Sequence, residues 1–197
     1  MTGMTMMSLC IPANADITVL GQQIGSDVVF SYSGSVNLTG LTKDTLFGSA
    51  NNVINPSTAV FAASSSPVGP MDKYLFTAIT TIPFGLGGLK HATLRSGDDI
   101  GIASGGGVLV VPVGYVSGAP LTGSITFAGA TMATLGAFDN GTYTSVITPN
   151  LSLIITLVSG PTASHFAPVR RTQPWQGERS NGLPLYTRLS IHPFVVR

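Results

Sequence analysis

The residues best suited to chemistry in this sequence are an acidic pair, Asp98-Asp99 in "RSGDDIG", and a histidine shortly upstream, His91. Two adjacent carboxylates can hold a hard cation or a sugar hydroxyl. With His91 they could serve a secreted hydrolase as acid and base, provided loops bring all three side chains within hydrogen-bond reach. The plainer reading of a glycine-flanked acidic pair between strands is a turn, and of a lone histidine a surface residue. Ser117 in "GYVSG" falls one place late for the G-x-S-x-G nucleophile elbow. The glycine clusters "ASGGGV" and "GLGG" lack both G-x-G-x-x-G and a following Lys-Ser/Thr, so they read as turns rather than phosphate loops. Cys10 is the single cysteine, which excludes an internal disulfide and a cysteine metal site. His165 and His192 have no partner at metal-ligand spacing. No catalytic, cofactor-binding or metal-ligating residue is assigned.

Tyr74, Phe84, Tyr115, Phe127 and Tyr143 could stack on sugar rings if exposed, although strand positions make most of them core. Asn37-Leu-Thr39, Asn140-Gly-Thr142 and Asn150-Leu-Ser152 match the glycosylation sequon, a pattern short enough to arise by chance.

The elements that must position these residues are strands. From Asp16 onward the apolar period is two: Ile17, Val19 and Ile24 alternate with polar residues, and Val28, Phe30 and Tyr32 alternate with Val29, Ser31 and Ser33. Further strands are expected at 59–63, 74–80, 100–103, 107–116, 124–128, 131–135, 142–148 and 151–158. Between them lie the turn signals "NPS", "PVGP", "SGDD", "SGGG", "SGAP" and "DNG", with "FDNGTY" close to an Asn-Gly hairpin turn. Pro112 implies an edge position or a bulge, since proline cannot donate to a ladder. No window keeps helical spacing for more than a turn or two. The expected fold is all-β: an antiparallel β-sandwich or jelly-roll-like domain over 16–162.

Composition sets the outer limits. The chain is 44% hydrophobic but only 9% charged. Disorder needs the opposite balance, and the exposed positions must be filled by Ser, Thr, Asn and Gly, which suits an extracellular surface. Residues 1–162 carry seven aspartates against Lys43, Lys73, Lys90 and Arg95, a net of −3. That is too few cations to bind nucleic acid through counterion release. Residues 163–197 carry Arg170, Arg171, Arg179, Arg188 and Arg197 against Glu178, a net of +4. Glycines and serines break every apolar run well short of a transmembrane helix. Ala13-Asn14-Ala15 fits a signal-peptidase site after the apolar "MTGMTMMSLCI", although no basic residue precedes it. Leu9 before Cys10 is too large for a lipoprotein cut. Residues 1–15 thus read as a partial signal peptide, with the mature chain starting at Asp16.

Two stretches, "GSDVVFSYSGSVNLTGLT" (25–42) and "LVVPVGYVSGAPLTGSITFAGATMATLGAFDNGTYT" (109–144), resemble secreted bacterial proteins of the PEP-CTERM, or exosortase-sorted, type. "SGPTASHF" (159–166) resembles the closing segment of that family in its first five residues. The resemblance covers about residues 13–163. It implies a signal peptide, a Gly/Ser/Thr-rich β domain and a place in the envelope or extracellular matrix of a Gram-negative bacterium; it carries no site residues. The Pro-Glu-Pro motif, apolar helix and basic cluster that end such proteins are absent, and a basic tail, 163–197, stands in their place. A reading-frame change near Ala163 explains that break; a genuine basic tail binding an acidic polymer is the alternative, and in either case the tail should pack poorly. The functional expectation is an exported, non-enzymatic, glycan-associated protein that meets extracellular polysaccharide at the cell surface and needs no cofactor. Its rivals are the loop-assembled hydrolase and a non-functional frameshifted remnant.

Overall fold

The computed structural model describes residues 15–44, 51–64 and 70–159, and residues 1–14 of the expected signal and the basic tail lie outside them. Among the described residues thirteen strands form two facing sheets. The first sheet contains β1 (Ala15–Ile24), β2 (Asp27–Ser35), β8 (Leu94–Gly97), β11 (Pro120–Phe127), β12 (Asn140–Thr148) and β13 (Leu151–Val158), in the order β12-β13-β1-β2-β11-β8. The second contains β3 (Thr42–Lys43), β4 (Val53–Asn55), β5 (Val60–Ala63), β6 (Met71–Leu75), β7 (Lys90–His91), β9 (Ile100–Ala103) and β10 (Val108–Pro112), in the order β3-β6-β10-β9-β5-β4-β7. The all-β sandwich expected from the alternation is the fold observed. Pairing is antiparallel throughout these ladders except between β1 and β13, which run parallel from Ala15↔Leu151 to Gln22↔Val158. Ala15, the residue before the expected signal cut, opens β1 and is buried.

The period of two explains the first sheet. Ile17, Val19, Val28, Phe30, Leu121, Ile125, Leu153 and Ile155 all point inward and are buried. They meet Ile54, Phe61, Ile100, Ile102, Leu109 and Val111 of the second sheet in one core cluster. Phe30 packs edge-to-face on Phe127 (5.8 Å) and Phe84 (6.5 Å), and Tyr32 does so on Phe61 (5.5 Å). Such pairs contribute about 0.5–1.5 kcal/mol each beyond the area they bury.

Several local expectations are corrected. The segment 131–135 is not a strand: Met132–Leu135 form a single helical turn, α1. Thr131 caps it reciprocally with Thr134, each hydroxyl accepting the other's backbone N–H (3.1 and 2.8 Å), and Gly136 ends it at φ +68. That box has Thr where Glu or Gln usually stands, which hides it in the sequence. A side chain at Gly136 would also collide with Gly87. "DNG" is not a hairpin turn, because Asn140 already opens β12 opposite Val158. The hairpin between β12 and β13 turns instead at Pro149-Asn150, with a register shift between Val146 and Thr148. Pro112 is neither on an edge strand nor at a bulge. It ends β10, a strand flanked by β6 and β9, two residues past its last pairing with β9. The strand expected at 74–80 lies earlier: β6 spans Met71–Leu75, and 76–80 belong to the connection that follows it. Strands β3, β4, β7 and β8 are too short or too polar to announce themselves.

Residues 76–89 connect β6 to β7 and pass beside edge strand β12. Thr80 bridges to Val146 on edge strand β12, Gly85 bridges to Ala137, and Phe84 drops into the core. The strap therefore covers part of an edge that would otherwise offer free ladder groups.

Candidate functional site

The acidic pair and the histidine do not converge. His91 sits on β7, pairing with Val53 at the edge of the seven-stranded sheet. Asp98 and Asp99 follow β8, at the edge of the six-stranded sheet. Thr93 N–H donates to Thr126 O (2.8 Å) at one end of β8, and Asp98 N–H donates to Thr122 O (2.9 Å) at the other. His91 thus lies off one end of the strand and the two acids off the opposite end, on the order of 13 Å apart along four strand residues. Both acids close that end: Asp98 Oδ2 accepts Thr122 N–H (2.8 Å), and Asp99 pairs with Arg95 (2.9 Å). Among the described residues no group of three or more His, Cys, Asp or Glu side chains is placed to hold a metal ion.

Ser117 Oγ accepts Leu38 N–H (3.0 Å) in an exposed turn. "SGG" of the glycine cluster forms a short 3-10 turn, Ser104–Gly106, between β9 and β10. Of the five aromatics, Phe84, Tyr74 and Phe127 are buried and cannot stack on a ligand. Tyr115 staples a turn: its hydroxyl accepts Val36 N–H (2.9 Å) and donates to Ala119 O, and burial pushes its pKa up. Tyr143 lies 5.6 Å from Phe138, which is 39% exposed and went unnoticed in the sequence. Of the sequons, Asn37 Oδ1 accepts Thr39 N–H (2.9 Å), Asn140 is tied to Ser159 (2.9 Å) and Asn150 lies in the β12–β13 turn.

What the sheets do assemble is a field of hydroxyls. Register places Thr142, Thr156, Leu20, Ser31, Ser124 and Ser96 in one row across the outer face of all six strands. A second row runs Thr144, Ile154, Thr18, Ser33, Thr122. Hydroxyls touch at both ends of the first row, Thr142 to Thr156 (3.1 Å) and Ser96 to Ser124 (3.0 Å). Over β1, β2, β11 and β8 the face dips into a shallow trough of about 580 Å³, lined by Thr18, Leu20, Ser31, Tyr32, Ser33, Ser96, Thr122, Gly123 and Ser124. Each hydroxyl can both donate and accept, so the lining can hydrogen-bond an uncharged polar ligand in either sense.

The ion pairs lie outside the lining of this trough. Lys43–Asp72 (2.9 Å) and Lys73–Asp44 (2.8 Å) tie edge strand β3 to β6, and Arg95–Asp99 fastens the end of β8. The Lys43 ammonium, helped by Gly114 N–H (3.0 Å), holds the Asp72 carboxyl below the usual range, and Asp72 in turn raises Lys43. Gly129 N–H (2.9 Å) and the Ser26 hydroxyl (3.0 Å) lower Asp27 at the β1–β2 turn. Burial, the largest cause, pushes the Tyr32 hydroxyl far above the ordinary phenol range, so it stays a neutral donor to Asp98 O. Arg95 projects inward opposite Ile125, a charge that discourages another strand from adding to β8.

No protein-family model, no curated protein and no solved structure matches the chain.

Proposed function

We propose that this chain is an exported, non-enzymatic protein of a bacterial cell envelope or extracellular matrix, and that it associates with polysaccharide through the outer face of its six-stranded sheet. One observation carries the reading: a shallow trough lined by hydroxyls and free of charged side chains, on a body whose ion pairs lie at strand edges. Hydroxyl-lined surfaces suit glycans, whose own hydroxyls exchange with water at little cost and gain by making many bonds at once. The resemblance of residues 25–42 and 109–144 to exosortase-sorted proteins supports the same location. The separation of His91 from Asp98 and Asp99 weighs against the hydrolase reading. The full chain, applied to an array of surface polysaccharides, should bind a subset of them; silence across the array sinks the proposal.

A further inference from the structure

We infer that the trough takes a single uncharged glycan strand lying across the β-strands, rather than an acidic polymer or a flat crystalline surface. This rests on the glycan reading above and specifies its ligand.

Charge comes first. The lining offers Ser and Thr hydroxyls and the apolar side chain of Leu20, with no ammonium or guanidinium to pair an anion. At its rim Asp98 is held against Thr122 N–H, so a uronic or sulfated chain would meet a like charge. A neutral strand meets neither problem, and Leu20 gives the C–H face of a sugar ring a dry contact.

Direction follows from the register. Along the strands the outward hydroxyls are Ser31, Ser33 and Ser35 on β2 and Thr122, Ser124 and Thr126 on β11, a reach of about 13 Å on each. Across the strands the row through Ser31 and Ser124 continues to Thr142, five strand spacings or about 24 Å in all. The long axis of the hydroxyl field is therefore perpendicular to the strands.

Twist decides between a strand and a crystal. Neighbouring strands rotate by about 20–25°, so the row turns through roughly 100° from end to end. A rigid flat lattice can touch only a few of its hydroxyls, whereas a single chain can follow the turn. With no aromatic ring on the row, affinity must accumulate bond by bond and should grow with chain length until the row is covered.

The test titrates the full chain with neutral gluco-, manno- and galacto-oligosaccharides in graded lengths, an oligogalacturonate matched in length, and microcrystalline cellulose, mapping contacts by NMR shift changes. The expected result is binding to a neutral series that tightens with length, with shifts centred on Ser31, Thr122 and Ser124. Ser31→Leu with Ser124→Leu should weaken it at least tenfold, while Thr39→Leu in the exposed turn leaves it unchanged. Preference for oligogalacturonate or for cellulose, or shifts centred elsewhere, overturns the inference while the glycan reading stands. If the polysaccharide array is positive but every neutral oligosaccharide is silent, the inference alone falls; if both are silent, the glycan reading falls with it.

Discussion

The two outward faces of this sandwich share one core and have opposite chemistry. On the six-stranded sheet the outer positions of β1, β2 and β11 include Thr18, Leu20, Ser31, Ser33, Thr122 and Ser124, and they line open space. On the seven-stranded sheet the outer row of β4, β5, β9 and β10 is Val53, Ala62, Gly101 and Val110. There Val53 is 7% exposed, Ala62 4% and Val110 4%, although all three lie outside the core cluster between the sheets. Leu89 and Asn51 border the small apolar cleft, about 250 Å³, that remains over this row. One face is thus left to water and to whatever replaces water, while the other is already largely withdrawn from it. The difference also accounts for the two sequence textures. A face left wet requires alternation, whereas a sheet covered on both sides reads as the unbroken runs "VFAA", "IGIA" and "VLVV".

The contrast can be broken most severely at Gly123. It lies on the inward side of β11, where an added Cβ would meet Ser96 O and the Tyr32 hydroxyl. Gly123→Ala should cost about 2–3 kcal/mol in urea denaturation, because backbone and a buried ring must both shift. A smaller loss would show that β8 can move away and that the trough is not rigidly floored. Next, the faces themselves can be exchanged. Val110→Ser should destabilise by about 2 kcal/mol, since it removes buried aliphatic surface and leaves a hydroxyl in a dry site. Ser33→Val should stay within about 0.5 kcal/mol, as exposed substitutions usually do. Equal costs at the two positions would erase the distinction between the faces.

The mildest probe is pH, which acts on the edges and spares both faces. Asp72 titrates below the ordinary carboxylate range when folded. Its stabilising contribution is therefore complete above that range and fades as pH falls through the depressed value. Lys43 is raised, so its share is present below the ordinary lysine range and is lost as pH climbs through the raised value. Melting temperature should thus be flat near neutrality and decline in acid. Asp72→Asn should shallow that acid decline; an unchanged acid limb would assign it to other carboxylates.

Much of the first sheet was legible from single residues. The alternation at Ile17, Val19, Val28, Phe30 and Tyr32 gave strands, faces and core, because a buried face forces every second side chain to be apolar. Less was legible where local rules have more than one outcome. The Asn-Gly at 140–141 favours a hairpin in isolation, but the Asn140 side chain is anchored to Ser159 and the turn forms at Pro149-Asn150 instead. "TMATL" has β-forming composition, yet Thr131 and Thr134 cap a helical turn there. For the candidate site, the abundance of Ser and Thr was visible but their grouping was not. Ser31, Ser124 and Ser96 are distant in sequence and become neighbours only when β2, β11 and β8 pair in register.

The sequence by itself determined that this chain builds an all-β sandwich with a nearly uncharged exterior, because side-chain period and composition are properties of the chain taken locally. Only the tertiary structure decided which hydroxyls share a face, that His91 is parted from Asp98 and Asp99, and that β13 closes the domain beside β1 in parallel. Those outcomes depend on long-range strand order and register, and a local pattern of alternation is compatible with many orders and with more than one register.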